Sequence, residues 1–430
     1  MNIFLNKKIL IYGLGKSGIS AFRFLRNKSE IFLYDDFHFK IKNLSLKKKL
    51  INRKNIFKKK FDIIILSPGI DINKCNLSKF LKKNRNKIYS DLDIFYSFYN
   101  NPSITITGTN GKSTTCQLLY EVLFDQKYDV RLVGNIGNPI LSSKNIKKKT
   151  IFVIEASSYQ LEYSKIFKSK YVAILNLSPD HIDRHKTMKN YIKAKFSLLK
   201  NQSKGNLAFV KKNDSLISRE LRLGKFRSKI VKLDTTKLNH IFQYIDNKYF
   251  SAETNKENLL FVIEISKYFN LKTSLLVQTI KKFRGLKYRQ QIIFKRKYLT
   301  IINDSKSTSF SSSIGILKAY ENIYWLLGGI NKKGDMLNLP QKYFNKIKAF
   351  IYGKNKRFFN KILKGKIYSK NYKNLNEALN AILKAIQKEK SIHKTILFSP
   401  CAASFDNFKN FEDRGLYFNK LIKEKIDDIR

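Results

Sequence analysis

The run Gly108-Thr109-Asn110-Gly111-Lys112-Ser113-Thr114 has the residue types of a phosphate-binding loop. Successive backbone N–H groups of such a loop cradle phosphate oxygens, Lys112 neutralises β/γ charge, and a hydroxyl can reach a Mg²⁺ ion. Only two residues separate Gly108 from Gly111, so the spacing is shorter than in the common G-x-x-x-x-G-K-[ST] loop. A mere surface turn is disfavoured, because a β-branched strand precedes the loop and a helix-like stretch, Thr115–Leu123, follows it. A second glycine turn, Gly13-Leu14-Gly15-Lys16-Ser17-Gly18, also follows an apolar run, and Asp35 ends the next strand about 20 residues on. Alone, this turn fits NAD or FAD, another nucleotide, or simple tight packing. Glu155 ends the apolar run before Ala156-Ser157-Ser158, where a carboxylate would lie beside the phosphate loop and suit a Mg²⁺ ligand. His181 sits in the acidic turn Asp180-His181-Ile182-Asp183-Arg184-His185. Its position after a strand reads as functional, whereas His185 reads as a structural histidine. Lys195 looks like any of the chain's many lysines.

These groups need strands and helices to place them, and the pattern supplies three βα-rich blocks. Strands are expected at Ile9–Tyr12, Ile31–Tyr34 and Phe61–Leu66 in the first, with a helix over Ile19–Leu25 between. The second has Ile104–Thr107, Ile151–Ile154 and Tyr171–Leu175. The third has Leu299–Ile302, Tyr324–Leu327, Ala349–Tyr352 and Thr395–Phe398, with a helix over Leu375–Lys388. The fold class is α/β, three consecutive α/β domains at 1–91, 92–284 and 285–430.

The chain has 430 residues, 43% of them hydrophobic, enough for sizeable cores. Cys75, Cys116 and Cys401 lie far apart with no C-x-x-C pair, which argues against a disulfide framework or a cysteine-built zinc site. No signal-peptide pattern opens the sequence and no stretch approaches the ~18 apolar residues of a membrane span, so a cytoplasmic protein is expected. The formal charge of +53 suggests nucleic acid. Yet the composition is rich in Lys, Asn, Ile, Phe and Tyr, as A/T-rich codons dictate, and lysine runs such as Lys47–Lys49, Lys58–Lys60 and Lys147–Lys149 are scattered along the chain. The charge is read as solvated surface that attracts anionic substrates at low salt, without a specific nucleic-acid partner.

The shortened loop, the Glu155 strand and the Asp180-His181-x-Asp183-Arg184 turn resemble the Mur ligase family, which includes folylpolyglutamate synthase. Asn303-Asp304-Ser305-Lys306-Ser307-Thr308, the segment Ser399–Gly415, Gly69 and Gly134-Asn135-Ile136-Gly137 are similar to the members that add D-glutamate to UDP-N-acetylmuramoyl-L-alanine. The match runs in order along essentially the whole chain. The resemblance implies Rossmann-like first and third domains around a P-loop ATPase-like central one, with the third closing on ATP. It implies a two-step acyl transfer: the substrate carboxylate attacks the γ-phosphate of ATP, and the D-glutamate amine displaces phosphate from the acyl phosphate. Gly108 to Thr114, Asn255, Asn258, Arg289 and Asp304 would meet ATP. Ser113 and Glu155 would bind one Mg²⁺, and His181 with a carbamylated Lys195 a second; carbamylation turns a lysine into an anionic oxygen ligand. Lys112, Glu155, His181 and Lys195 would carry the catalysis. Lys16, Ser17, Asp35, Gly69, Asn135 and His181 would meet the UDP substrate; Lys306, Thr308, Lys332, Ser404, Phe405 and Phe411 would surround D-glutamate. No membrane insertion is expected, and a monomer is.

Several positions depart from the family pattern: Ala252 and Thr254 before Asn255, Tyr288 before Arg289, Gln291, and Phe37 near the uridine. Ligases for diamino acids are disfavoured because an Asp-Asn-Pro-Arg-type motif is missing, and folate by the Ser399–Gly415 segment. An NAD dehydrogenase would need no second phosphate loop, so Lys112 argues against it.

Overall fold

The structure, a computed structural model, describes residues 2–37, 43–234, 245–332, 334–387 and 392–425. Each expected strand is present within a residue or two. The first sheet is β1 (Lys8–Tyr12), β2 (Glu30–Tyr34), β3 (Ile63–Leu66) and β4 (Ile88–Tyr89), all parallel in the order β2-β1-β3-β4. Successive side chains leave a strand on opposite faces. Accordingly Ile9, Ile11, Ile63 and Ile65 join one buried cluster, while Leu10, Tyr12, Ile64 and Leu66 join another. Burial on both faces is why these strands read as unbroken apolar runs.

The second sheet is β5 (Ser103–Thr107), β6 (Val130–Gly134), β7 (Ile151–Glu155), β8 (Tyr171–Ile174), β9 (Leu207–Lys211) and β10 (Lys229–Leu233), also parallel, in the order β10-β9-β8-β5-β7-β6. The third comprises β11 (Gln291–Arg296), β12 (Leu299–Asn303), β13 (Ile323–Gly328), β14 (Ile347–Tyr352), β15 (Tyr368–Asn371) and β16 (Lys394–Phe398), in the order β11-β12-β16-β13-β14-β15. Only β11 runs antiparallel to its neighbour. The helix expected over Leu375–Lys388 covers Leu375–Gln387; Lys388 lies outside the described residues.

Contacts divide the chain into two compact units. One takes residues 1–177, 184–240 and 260–279, the other 178–183, 241–259 and 280–430. The first unit holds the first two sheets, whose core runs across residue 91: Ile9, Ile63, Leu92, Ile94 and Phe152 share one cluster. In both sheets the strand order reverses beside an early strand, at β1/β3 and at β5/β8, and parallel sheets open a ligand crevice at such points.

Helix α1 (Lys16–Leu25) follows the first glycine turn, and α2 (Asp91–Phe98) joins the two sheets. Ser90 and Asp93 cap α2 reciprocally. Asp93 is fully buried, and its Oδ1 accepts the backbone N–H groups of Lys165 (2.9 Å), Ile166 (2.8 Å) and Phe167 (3.0 Å). The carboxylate thus satisfies three successive backbone donors, that of Phe167 in a buried bond.

Candidate active site

The central loop follows β5 and leads into α3 (Lys112–Asp125). Gly108 has φ +146° and a Cβ there would meet Leu175 Cβ at 3.1 Å, so only glycine lets the backbone pass β8 this closely. Gly111 (φ +84°) then turns the chain into α3. Asn176, just after β8, fixes the loop: its Oδ1 accepts Asn110 N–H at 2.9 Å and its carbonyl accepts Thr109 N–H at 3.0 Å. Asn176 is not among the residues expected from sequence, though an amide at the end of a strand beside a phosphate loop is a visible signal. Lys112 curls over the loop, its Nζ 3.0 Å from the Gly108 carbonyl and 2.7 Å from that of Thr109.

Glu155 ends β7 and is 1% exposed. Ser113 Oγ donates to its Oε2 at 2.5 Å and Asn135 Nδ2 to its Oε1 at 2.8 Å. A hydroxyl and a carboxylate in contact at the mouth of a phosphate loop form the hard oxygen donor set that Mg²⁺ prefers. Lys195, on α4 (Met188–Asn201), is also 1% exposed. Its Nζ donates to the Gly108 carbonyl at 2.7 Å and lies 4.6 Å from the Tyr191 ring centroid. Lys112 and Lys195 therefore share one carbonyl oxygen. As an ammonium Lys195 is a donor only, so the metal role implied by resemblance fits it solely after carbamylation.

At the first sheet, Gly13 (φ +93°) and Gly18 pack so tightly that a Cβ on Gly18 would stand 1.9 Å from the Gly13 carbonyl oxygen. Ser67 Oγ donates to that oxygen at 2.6 Å. Asp35 Oδ2 accepts Leu14 N–H at 2.6 Å, which ties the acid to the glycine turn. Lys16 and Gly69 are exposed, and Ser17 is half-buried. Phe37 is 61% exposed.

In the second unit Asp304 directly follows β12, beside the end of β16. Ser399 Oγ and Gln290 N–H donate to it at 2.8 and 3.1 Å, yet burial pushes its carboxyl up to about 7. Asn255 and Asn258 are buried on one helix, and Asn255 Nδ2 donates to Gln290 Oε1 at 2.9 Å. Arg289 is half-buried in the turn between Tyr288 (φ 62°) and Gln290 (φ 49°). Four of the five departures gather here: Gln291 Oε1 accepts Tyr288 N–H, Ala252 is buried, and the buried Thr254 hydroxyl has no partner among the described residues.

Lys306 Nζ lies 3.8 Å from the Phe411 ring centroid, so these two expected D-glutamate residues meet. Thr308 is half-buried, Ser404 buried and Phe405 72% exposed. Arg414, on α5 (Phe411–Glu424), ties their segments together: Nη2 donates to the Ser305 carbonyl at 2.7 Å and to the Ala402 carbonyl at 3.0 Å. Lys332 Nζ pairs with Asp180 at 2.6 Å, and the same carboxylate lies 3.3 Å from His181 Nε2. His181 takes φ 55°, and His185 is buried against Ser158 Oγ at 3.0 Å, as a structural histidine should be. Ser113, Glu155 and Lys195 belong to the first unit and His181 to the second. Among the described residues no group of three His, Cys, Asp or Glu side chains forms a metal cage.

Residues 106–277 match the Mur ligase middle domain. The chain is 33% identical to a UDP-N-acetylmuramoylalanine–D-glutamate ligase of Rickettsia bellii over 98% of both chains. It is 35% identical to one from Buchnera aphidicola over 98% of this chain and 99% of that one. Its fold is similar to UDP-N-acetylmuramate–alanine ligase from Thermotoga maritima, with a TM-score of 0.54 and 16% identity across 99% of this chain and 100% of that one. It is also similar to a MurF ligase from Thermotoga maritima solved in complex with ADP, with a TM-score of 0.55 and 12% identity over 86% and 91% of the chains. The chain belongs to the Mur ligase family, on the branch whose members are named UDP-N-acetylmuramoylalanine–D-glutamate ligase.

Proposed function

We infer that this chain is an ATP-dependent amide ligase that adds D-glutamate to UDP-N-acetylmuramoyl-L-alanine in peptidoglycan precursor synthesis. The observation that carries this reading is the similarity along 98% of both chains to relatives named for that reaction. A carboxylate is a poor electrophile; transfer of the γ-phosphoryl group of ATP gives it a leaving group, and the amine of D-glutamate then displaces phosphate. Most of the acceleration comes from positioning and charge neutralisation.

The loop Gly108–Thr114 supplies backbone N–H groups to the phosphates, and Lys112 moves its ammonium from the loop carbonyls to the β/γ oxygens. Asn255, Asn258, Arg289 and Asp304 hold the rest of ATP. Ser113 and Glu155 would hold one Mg²⁺, and His181 with a carbamylated Lys195 a second. Bound there, Mg²⁺ supplies positive charge to the transferring phosphoryl oxygens. Carbamylation also suits the buried surroundings, because it removes one of the two cations that meet on the Gly108 carbonyl. Lys16, Ser17, Asp35, Gly69 and Asn135 receive the UDP substrate. Lys306 and Lys332 neutralise the two carboxylates of D-glutamate, flanked by Thr308, Ser404, Phe405 and Phe411. Labour divides among 1–91 for the UDP substrate, 92–284 for ATP and metal, and 285–430 for D-glutamate. The protein works in the cytoplasm as a monomer without a nucleic-acid partner; among the described residues no helix is long and apolar enough to cross a membrane.

Isotope transfer tests the route. With ¹⁸O in the carboxylate of UDP-N-acetylmuramoyl-L-alanine, one labelled oxygen should appear in the released phosphate. Unlabelled phosphate alongside amide product would exclude the acyl phosphate.

A further inference from the structure

Two lysine runs that look scattered in the sequence come together in space. Lys48, Lys49, Lys58, Lys59 and Lys60, with Lys8, line one cavity of about 710 Å³ beside the edge strand β2. The chain returns there because Leu33 N–H donates to the Lys49 carbonyl (2.9 Å) and Ile51 N–H to the Leu33 carbonyl (3.0 Å), which pins residues 49–51 along β2. Asn52 then caps the helix Arg53–Lys58, and the chain brings Lys58–Lys60 back over the same strand. The cavity lies where β1 and β2 start, at Lys8 and Glu30, whereas the Gly13 turn caps the end where β1 finishes. It is therefore separate from the residues proposed to meet the UDP substrate.

Six lysines line the cavity together with a single carboxylate residue, Glu30, and among the described residues none of the six forms an ion pair. Such a concentration of like charge is held apart only by solvent and counter-ions, so an anion that bridges several of them is favoured. The volume falls in the range of roughly 300–1,000 Å³ typical of small-molecule sites. Recognition there is by charge: Lys59 Nζ stands 4.1 Å from the Phe32 ring centroid and covers one face of that ring. The lining cations are all lysines, which bind phosphate as mobile point charges, and Asn52 and Asn55 add neutral donors.

We propose that this cavity is a second anion site that takes a compact oligophosphate, such as an inorganic polyphosphate or the polyphosphate end of a nucleotide.

The test is titration calorimetry of the full chain with inorganic tripolyphosphate at about 0.15 M salt, in a Lys112→Ala background that disables the ATP loop. Exposed lysine-to-glutamine changes keep the fold, so two triple variants of equal charge are compared: Lys48→Gln/Lys59→Gln/Lys60→Gln in the cavity and Lys147→Gln/Lys148→Gln/Lys149→Gln elsewhere. The proposal expects the cavity variant to bind about tenfold more weakly and the other to bind unchanged. Equal weakening would reduce the site to general surface charge and overturn it. So would loss of all binding in the Lys112→Ala parent. Tight binding of single-stranded RNA or anionic vesicles through the same lysines, with no tripolyphosphate binding, would overturn it as well.

Discussion

Lys195 makes the sharpest demand at the scale of single residues. The proposed carbamate answers one feature of the site: as a buried ammonium, Lys195 donates to the same carbonyl as Lys112. Lys195→Ala is expected to lower the ligase rate by on the order of 100-fold or more, and added acetate or formate should restore part of it by filling the carbamate's place. An unaffected variant, or one that no short acid rescues, would remove that role. Asp304 gives a pH signature in stability. Its carboxyl is raised from 3.8 to about 7 by burial, so the folded state holds a proton that the unfolded chain loses. This contribution is complete below pH 3.8 and is lost as pH rises through about 7. Wild-type stability should carry a falling component across that window which Asp304→Asn lacks; identical profiles for the two proteins would contradict it. The positions of the glycine loop and of Glu155 at the end of β7 were legible in the sequence, because glycine spacing and an apolar run announce them. Asn176 and the clamp made by Arg414 were not, since each acts through backbone groups far away in sequence. Lys195 was visible only through resemblance.

Among the elements, the central strands of each sheet were legible as apolar runs, because both faces are buried. The strands missed from sequence are mostly short or marginal: β4 has two residues, and β10, β11 and β15 are edge strands rich in lysine, arginine and polar residues. Charge on an edge strand deters pairing with other chains and hides the strand's periodicity. The joint between the first two sheets depends on Asp93, at the third position of α2, taking three backbone N–H groups. Asp93→Ala should destabilise the first unit by about 3–5 kcal/mol in denaturant unfolding. A loss under about 1 kcal/mol would mean water replaces the carboxylate there.

For the whole molecule, the formal charge of +53 belongs to the surface and to the rates at which anions arrive. Sequence alone read the lysine runs as dispersed; the fold gathers two of them at β2, which no one-dimensional pattern could reveal. Three α/β blocks were expected and three sheets are present, although compactness joins the first two in one unit through a shared core. Electrostatic attraction predicts that kcat/KM for the UDP substrate falls several-fold between about 0.02 and 0.3 M salt, with kcat nearly constant. A salt-independent kcat/KM would show that the excess charge does not guide substrate.

The most direct test of the assigned reaction is phosphate release by the purified chain with ATP, Mg²⁺ and UDP-N-acetylmuramoyl-L-alanine, with and without an amino-acid acceptor. Release that requires D-glutamate, and that L-glutamate or L-alanine fails to support, is the predicted result. Release driven by another amino acid or by a folate, or silence with every acceptor, would contradict it.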